Sequence, residues 1–90
     1  MHTYRFYISG KVQGVAYRKS IQQIAAYGQI QGYVKNLKDG RVEAVAFLYD
    51  DQLDDFINIL KNGSPLSKVE EVTHEILSKD DLLYDGFEIR

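Results

Sequence analysis

Between Tyr4 and Gly28 the apolar residues change their period. Tyr4, Phe6 and Ile8 alternate with Arg5, Tyr7 and Ser9, the period of two that turns one face of a strand into a core. Tyr17, Ile21, Ile24, Ala25 and Gly28 then recur at helical spacing, with Gly28 a natural stop. The junction is Gly10-Lys11-Val12-Gln13-Gly14-Val15-Ala16-Tyr17-Arg18. A strand that passes through a glycine-bearing turn into a helix is also suited to hold an anion. Successive backbone N–H groups in such a turn can converge on one point. The first helical N–H groups lack partners and carry the positive end of the helix dipole. No Ser, Thr, Asp or Asn stands at Val15, Ala16 or Tyr17 to cap them. Arg18 adds a planar cation whose fork matches phosphate or carboxylate oxygens.

The rest of the chain continues the alternation. Ile30, Gly32 and Val34 alternate with Gln31, Tyr33 and Lys35 as a second strand. Asn36-Leu37-Lys38-Asp39-Gly40 is turn chemistry, with Asp39-Gly40 the hairpin signal. Arg41 to Tyr49 forms a third strand, with Val42, Ala44, Ala46 and Leu48 on one face and Glu43, Val45, Phe47 and Tyr49 on the other. Asp50 or Asp51 is the expected cap of a second helix with the stripe Leu53, Phe56, Ile57 and Leu60, ended by Lys61, Asn62-Gly63 and Pro65. Val69 to Leu77 is a fourth strand, Asp80-Asp81 and Asp85-Gly86 are turns, and Phe87 to Arg90 is a short terminal strand. The order β-α-β-β-α-β plus a terminal strand predicts a split βαβ, ferredoxin-like α+β sandwich, an antiparallel sheet with both helices on one face. Ala44 and Ala46 are small enough to let helices approach. Arg5, Tyr7, Tyr33, Lys35, Glu43, Val45 and Phe47 fall on the other, partly open face.

Ninety residues make one domain, 1–90, which buries a little over ~60% of its unfolded surface. The absence of cysteine excludes disulfides, thiolate metal sites and a cysteine nucleophile, and His2 and His74 stand in no ligand spacing. No apolar run nears membrane-spanning length and no signal-peptide pattern precedes Tyr4, so the expected compartment is the cytoplasm, with no membrane partner. The net charge of −2 argues against a generic nucleic-acid binder. Its distribution is uneven. Residues 1–41 hold seven basic side chains and one acid, whereas residues 42–90 hold four basic and twelve acidic ones. The anion-suited turn lies in the positive half, where steering of an anionic ligand is screened over ~8–10 Å.

If the second strand lies beside or near the first, the turn after it brings Asn36 close to the Gln13–Arg18 loop. An amide there can orient a water for attack on a bound group without repelling an anion. No carboxylate pair, Ser-His-Asp set or metal cluster accompanies these residues, which leaves water as the nucleophile. Phosphoryl transfer needs positioning and charge stabilisation above all, so Arg18, the loop amides and Asn36 form a sufficient set. Plainer readings stand beside each of these. The glycine turn is not a Walker loop and serves equally as a simple connection. Arg18 reads also as a surface arginine, and Asn36 as a turn residue tolerant of left-handed backbone. His74 reads as a partly buried strand residue. Tyr7, Tyr33 and Phe47 are either ordinary cross-strand aromatics or a base-stacking face.

At these residues the chain resembles the acylphosphatase family. Gly10-Lys11-Val12-Gln13-Gly14-Val15-Ala16-Tyr17-Arg18 is similar to the family's first signature, and Gly32-Tyr33-Val34-Lys35-Asn36-Leu37-Lys38-Asp39-Gly40-Arg41-Val42-Glu43 to its second. The likeness runs from Tyr4 through Pro65-Leu66-Ser67-Lys68-Val69 to Gly86-Phe87-Glu88-Ile89-Arg90. It implies the same sandwich and an enzyme that hydrolyses the carboxyl–phosphate bond of small acyl phosphates. It implies catalytic roles for Arg18 on the phosphate and Asn36 on the water. The phosphate would rest on the backbone amides of Gln13, Gly14, Val15, Ala16, Tyr17 and Arg18. It also implies no metal and no cofactor, the water's proton passing to the substrate's own phosphate. A monomer with no nucleic-acid partner is expected. Two departures keep an aromatic ring: Tyr17, where Phe is commoner, and Tyr33, where Trp is frequent. Their hydroxyls need a partner if buried. Ser64 stands where a second proline is common, a change expected to be of little consequence. Readings from other classes are a non-catalytic phosphate-binding module and an RNA-binding sheet. Arg41 to Phe47 lacks the basic, glycine-aromatic pattern of the latter.

Overall fold

The computed structural model describes residues 1–77 and 86–90. Its elements are β1 (His2–Lys11), α1 (Tyr17–Tyr27), β2 (Gln31–Asn36), β3 (Val42–Leu48), a single 3₁₀ turn (Asp50–Gln52), α2 (Leu53–Asn62), β4 (Lys68–Leu77) and β5 (Phe87–Ile89). The Asp80-Asp81 turn and Asp85 of the Asp85-Gly86 turn lie outside the described residues. The strands form one sheet in the order β4-β1-β3-β2-β5. β3 pairs antiparallel with both β1 and β2, so β1 and β2 run the same way with one strand between them. The split βαβ sandwich is therefore the observed architecture. The sheet is mixed rather than wholly antiparallel, because β5 runs parallel to β2, with Gly32, Tyr33 and Val34 opposite Phe87, Glu88 and Ile89. A three-residue strand carries no pattern that states its direction or its neighbour, and the pairing is closed by Gly32 N–H to Gly86 O at 3.1 Å and Arg90 N–H to Val34 O at 2.9 Å.

One face of this sheet holds the core. Tyr4, Phe6 and Ile8 of β1, Val42, Ala44, Ala46 and Leu48 of β3, Val34 of β2 and Phe87 of β5 are buried against Tyr17, Ile21 and Ala25 of α1 and Phe56 and Leu60 of α2. Phe56 bridges the layers, its ring centroid 5.2 Å from that of Phe6 and 6.3 Å from that of Phe87. Burying such a side chain stabilises by about 1.5–3 kcal/mol, and truncating it to alanine costs about 3–5 kcal/mol. Ile24, read as part of the α1 stripe, is 44% exposed, because an eleven-residue helix crossing a twisted sheet keeps only a narrow seam in contact. The α2 entrance also differs from the expectation. Asp50 accepts from Tyr4 Oη at 2.7 Å and pairs with His2 Nδ1 at 2.8 Å, while Gln52 Oε1 takes the Tyr49 N–H at 2.8 Å. Asp50 is thus engaged with β1, and its carboxyl is held below the usual range by the Tyr4 hydrogen bond and the adjacent His2. His74 is exposed rather than partly buried, lying edge-on to Tyr4 and tilted against Phe6.

The opposite face is covered in part by cations on aromatic rings. The Arg41 guanidinium lies 4.7 Å from the Tyr7 ring centroid and that of Arg90 lies 4.4 Å from Tyr33. Arg5 also pairs with Glu75, and Val45 beneath this layer is buried. The Tyr33 hydroxyl donates to Glu43 Oε1, which supplies the partner its position requires.

Candidate active site

The loop between β1 and α1 holds itself by side chains and carbonyls and leaves its amides uncommitted. Val12, Val15 and Tyr17 point into the core and are nearly inaccessible. Gln13 Nε2 donates to the carbonyls of Leu37, at 2.8 Å, and Arg41, at 3.0 Å, across on the β2–β3 turn. The Tyr17 hydroxyl donates to Leu60 O at 2.7 Å, at the end of α2, and burial pushes its pKa up, so it stays a neutral donor. Ser64 Oγ donates to Val15 O at 2.6 Å. Ser64, expected to matter little, is thus a buried contact of the loop. Among the described residues, no loop or turn hydrogen bond takes up the N–H groups of Gly14 to Arg18. Gly14 has φ 72°, and Ala16, at the start of α1, has φ 60° and ψ 23° with no side-chain cap. A left-handed alanine costs roughly 1–2 kcal/mol, strain that persists only where neighbours over-determine the backbone.

A pocket of about 180 Å³ opens beside this loop. Gly14, Ala16, Tyr17, Arg18 and Asn36 line it, so the structure brings these candidates from two turns to one place. Gln13 and Val15 are not in its lining, since the side chain of one reaches the neighbouring turn and that of the other is in the core. The lining also includes Val12, Lys19 and Ile89, which sequence reasoning did not single out. Lys19 was signalled by its place beside Arg18 in a region of positive charge. Ile89 carried no signal, because its presence depends on β5 crossing to the edge beside β2.

Arg18 is in the first turn of α1, and its Nη1 donates to the main-chain oxygen of Arg90 at 2.9 Å. That bond fixes one edge of the guanidinium and leaves other N–H groups for a ligand. Asn36 ends β2, opposite Val42. Its Oδ1 is buried and has no hydrogen-bond partner among the described residues. An unsatisfied acceptor of this kind costs about 1–3 kcal/mol. Two cations, a helix N-terminus and open amides make that pocket attractive to an anion, while Asn36 offers an acceptor without charge. Among the described residues no group of three or more His, Asp or Glu side chains is arranged to hold a metal. No helix among them is long and apolar enough to cross a membrane.

The acylphosphatase family pattern matches residues 4–89. The chain belongs to the acylphosphatase family. An acylphosphatase of Borrelia garinii subsp. bavariensis is 43% identical over 81 residues, covering 89% of this chain and 87% of its own length. The crystal structure of acylphosphatase from Bacillus subtilis superposes with a TM-score of 0.91 at 37% identity, covering 100% of this chain and 99% of that one. An acylphosphatase from Coxiella burnetii superposes with a TM-score of 0.87 at 36% identity, over 99% of this chain and 92% of that one. The activity is that of an acylphosphatase, a hydrolase, and the five-stranded sandwich is the acylphosphatase fold.

Proposed function

We propose that this acylphosphatase cleaves the carboxyl–phosphate bond of small acyl phosphates with Arg18 and Asn36 as its catalytic residues. The phosphoryl oxygens rest on the amides of the Gln13–Arg18 loop and on Arg18. Asn36 Oδ1 accepts one O–H of a water and leaves that water's lone pair directed at phosphorus. The water oxygen bonds to phosphorus, the bond from phosphorus to the acyl oxygen breaks, and the carboxylate leaves with its electron pair. The water's proton passes to a phosphate oxygen, since among the described residues no Asp, Glu or His side chain lines the pocket. The observation that carries this reading is the convergence of Asn36, Arg18 and the uncommitted loop amides on one pocket. Amide donors and a fixed cation stabilise charge where it develops on the equatorial oxygens and need no reorganisation at the moment of reaction.

The protein works as a monomeric single domain, in the cytoplasm, without metal, cofactor or nucleic acid. The guanidinium groups over Tyr7 and Tyr33 support the last point, because rings already covered are poor stacking platforms for bases. The test is hydrolysis of benzoyl phosphate by the purified chain, without and with excess chelator. Turnover unchanged by chelator is expected. Activity that vanishes in chelator and returns with a divalent ion overturns the metal-free mechanism, and phosphate binding without turnover makes the chain a binding module instead.

A further inference from the structure

We infer that Ser64 is a positioning residue for the anion loop, its hydroxyl setting the direction of the Ala16 N–H; the inference rests on the functional reading above. The Ser64 side chain comes from the turn after α2, is 4% exposed, and donates to Val15 O at 2.6 Å. A trans peptide is planar, with its C=O and N–H pointing opposite ways. Drawing the Val15 carbonyl toward Ser64 therefore aims the Ala16 N–H away from Ser64. Ala16 lines the pocket and Ser64 does not, which is the ground for assigning this N–H to the pocket side. The same peptide leads into the left-handed Ala16, whose carbonyl accepts from Ser20 N–H at 3.1 Å while its own N–H makes no loop or turn bond among the described residues.

Ser64 is itself fixed. Its N–H donates to Ser67 Oγ at 2.9 Å, and Ser67 returns two bonds to Ser64 O, from Oγ at 2.8 Å and from N–H at 3.0 Å. The turn holding Ser64 is thus closed by Ser67, while Ser64 Oγ carries the bond to Val15 O. This separates two roles that one substitution would confuse: Ser67 holds the turn, and Ser64 aims a ligand donor.

The experiment compares the wild-type chain with Ser64→Ala and Ser67→Ala, using inorganic phosphate as the probe and benzoyl phosphate as the substrate. A misaimed donor to an anion weakens ground and transition states alike, so Ser64→Ala should raise the phosphate Kd and KM together, roughly fivefold to tenfold, with kcat within about twofold. Its Ala16 amide resonance should shift in the free protein. Ser67→Ala should lower Tm while leaving phosphate Kd near the wild-type value. A Ser64→Ala protein with wild-type Kd and KM overturns the inference, as does an equal loss of affinity in Ser67→Ala. In the wild-type protein, Ala16 should respond to phosphate among the loop amides; a silent Ala16 beside responding neighbours also overturns it, whatever the variants do. Failure of the wild-type chain to bind phosphate or to turn over would instead bring down the functional reading, and the inference with it.

Discussion

The Gln13–Arg18 loop and the Asn36–Arg41 turn lie side by side, carry one glycine each, and use their N–H groups in opposite ways. In the second, Leu37 N–H donates to Arg41 O at 2.8 Å, Gly40 N–H to Leu37 O at 3.3 Å, and Arg41 N–H to Asp39 Oδ1 at 3.0 Å. That turn closes on itself. The first is held instead by the Gln13 amide, the Val15 carbonyl and the Tyr17 hydroxyl, and its amides from Gly14 to Arg18 take no part in the loop and turn bonds of the described residues. A turn that only reverses the chain satisfies its own donors, because unpaired N–H groups cost free energy when shielded from water. A turn that binds must be stiffened by other atoms. Asn36 stands where the two strategies meet: its backbone belongs to the closed turn and its side chain to the open pocket.

The sharpest way to break this division is Asn36→Ala. If the side chain serves the water and the backbone serves the hairpin, kcat should fall ~10²–10³ while KM moves little, the pattern of a contact made to the nucleophile. Steady-state kinetics beside a thermal melt reads both halves. An unchanged kcat with a large drop in Tm would mean that Asn36 is a hairpin residue only.

Arg18→Ala tests the open loop. Losing a charge-assisted contact to phosphate removes ~1.5–3 kcal/mol, or roughly 10–10²-fold in phosphate affinity, and turnover falls with it. Arg18→Lys should recover only part of this, because an ammonium cannot reproduce the fork that also holds Arg90 O. Calorimetric titration with inorganic phosphate decides the matter. Near-normal affinity in Arg18→Ala would place the anion elsewhere.

Much of this was legible in the sequence, for physical reasons that can be named. The period change across Gly10 to Arg18 and the alternation of Val42, Ala44, Ala46 and Leu48 give β1, α1 and β3, because each pattern matches one backbone period. Arg18 and Asn36 could be named as candidates from residue type and turn context. Their meeting depends on β3 pairing with both β1 and β2, which makes those strands run alike and end at the same end of the sheet, one strand apart. The direction of β5 and the arrival of Ile89 at the pocket were not legible, since three residues carry no register signal. Nor were the bonds from Gln13 and Ser64. A side-chain donor seeking a backbone carbonyl 24 or 49 residues away leaves no trace in local pattern.

Paired alanine substitutions at Gly14 and Gly40 sharpen the comparison further. Their φ values are 72° and 96°, and a Cβ at either meets nothing within 4 Å, so both substitutions add backbone strain without a clash. Each should destabilise by about 1–2 kcal/mol. Only Gly14→Ala should also weaken phosphate binding, by severalfold, because relief of strain there redirects uncommitted amides. Chemical denaturation with a phosphate titration on each variant is the measurement. Equal losses of phosphate affinity in the two would erase the distinction between a binding turn and a connecting one.

The smallest expected effect lies wholly within the closed turn. The Arg41 N–H and then its guanidinium, with Nε 2.8 Å from Asp39 Oδ2, hold the Asp39 carboxyl below its usual pKa. A depressed carboxyl pKa contributes stability above the unfolded value of about 4, and that contribution is lost as pH falls through the folded value. Asp39→Asn keeps an acceptor for the Arg41 N–H and suits the residue before Gly40 in a hairpin, but it removes the charge. Because the pair is exposed and screened, the loss of Tm at neutral pH should be small. It should shrink further in acid, where the wild-type carboxyl is itself protonated, while kcat and KM for benzoyl phosphate stay at wild-type values throughout. Melts from neutral pH down to the lower end of carboxylate titration trace the convergence. A Tm difference that widened on acidification would reverse the sign of the linkage, and a fall in turnover would show that the connecting turn also tunes the binding loop beside it.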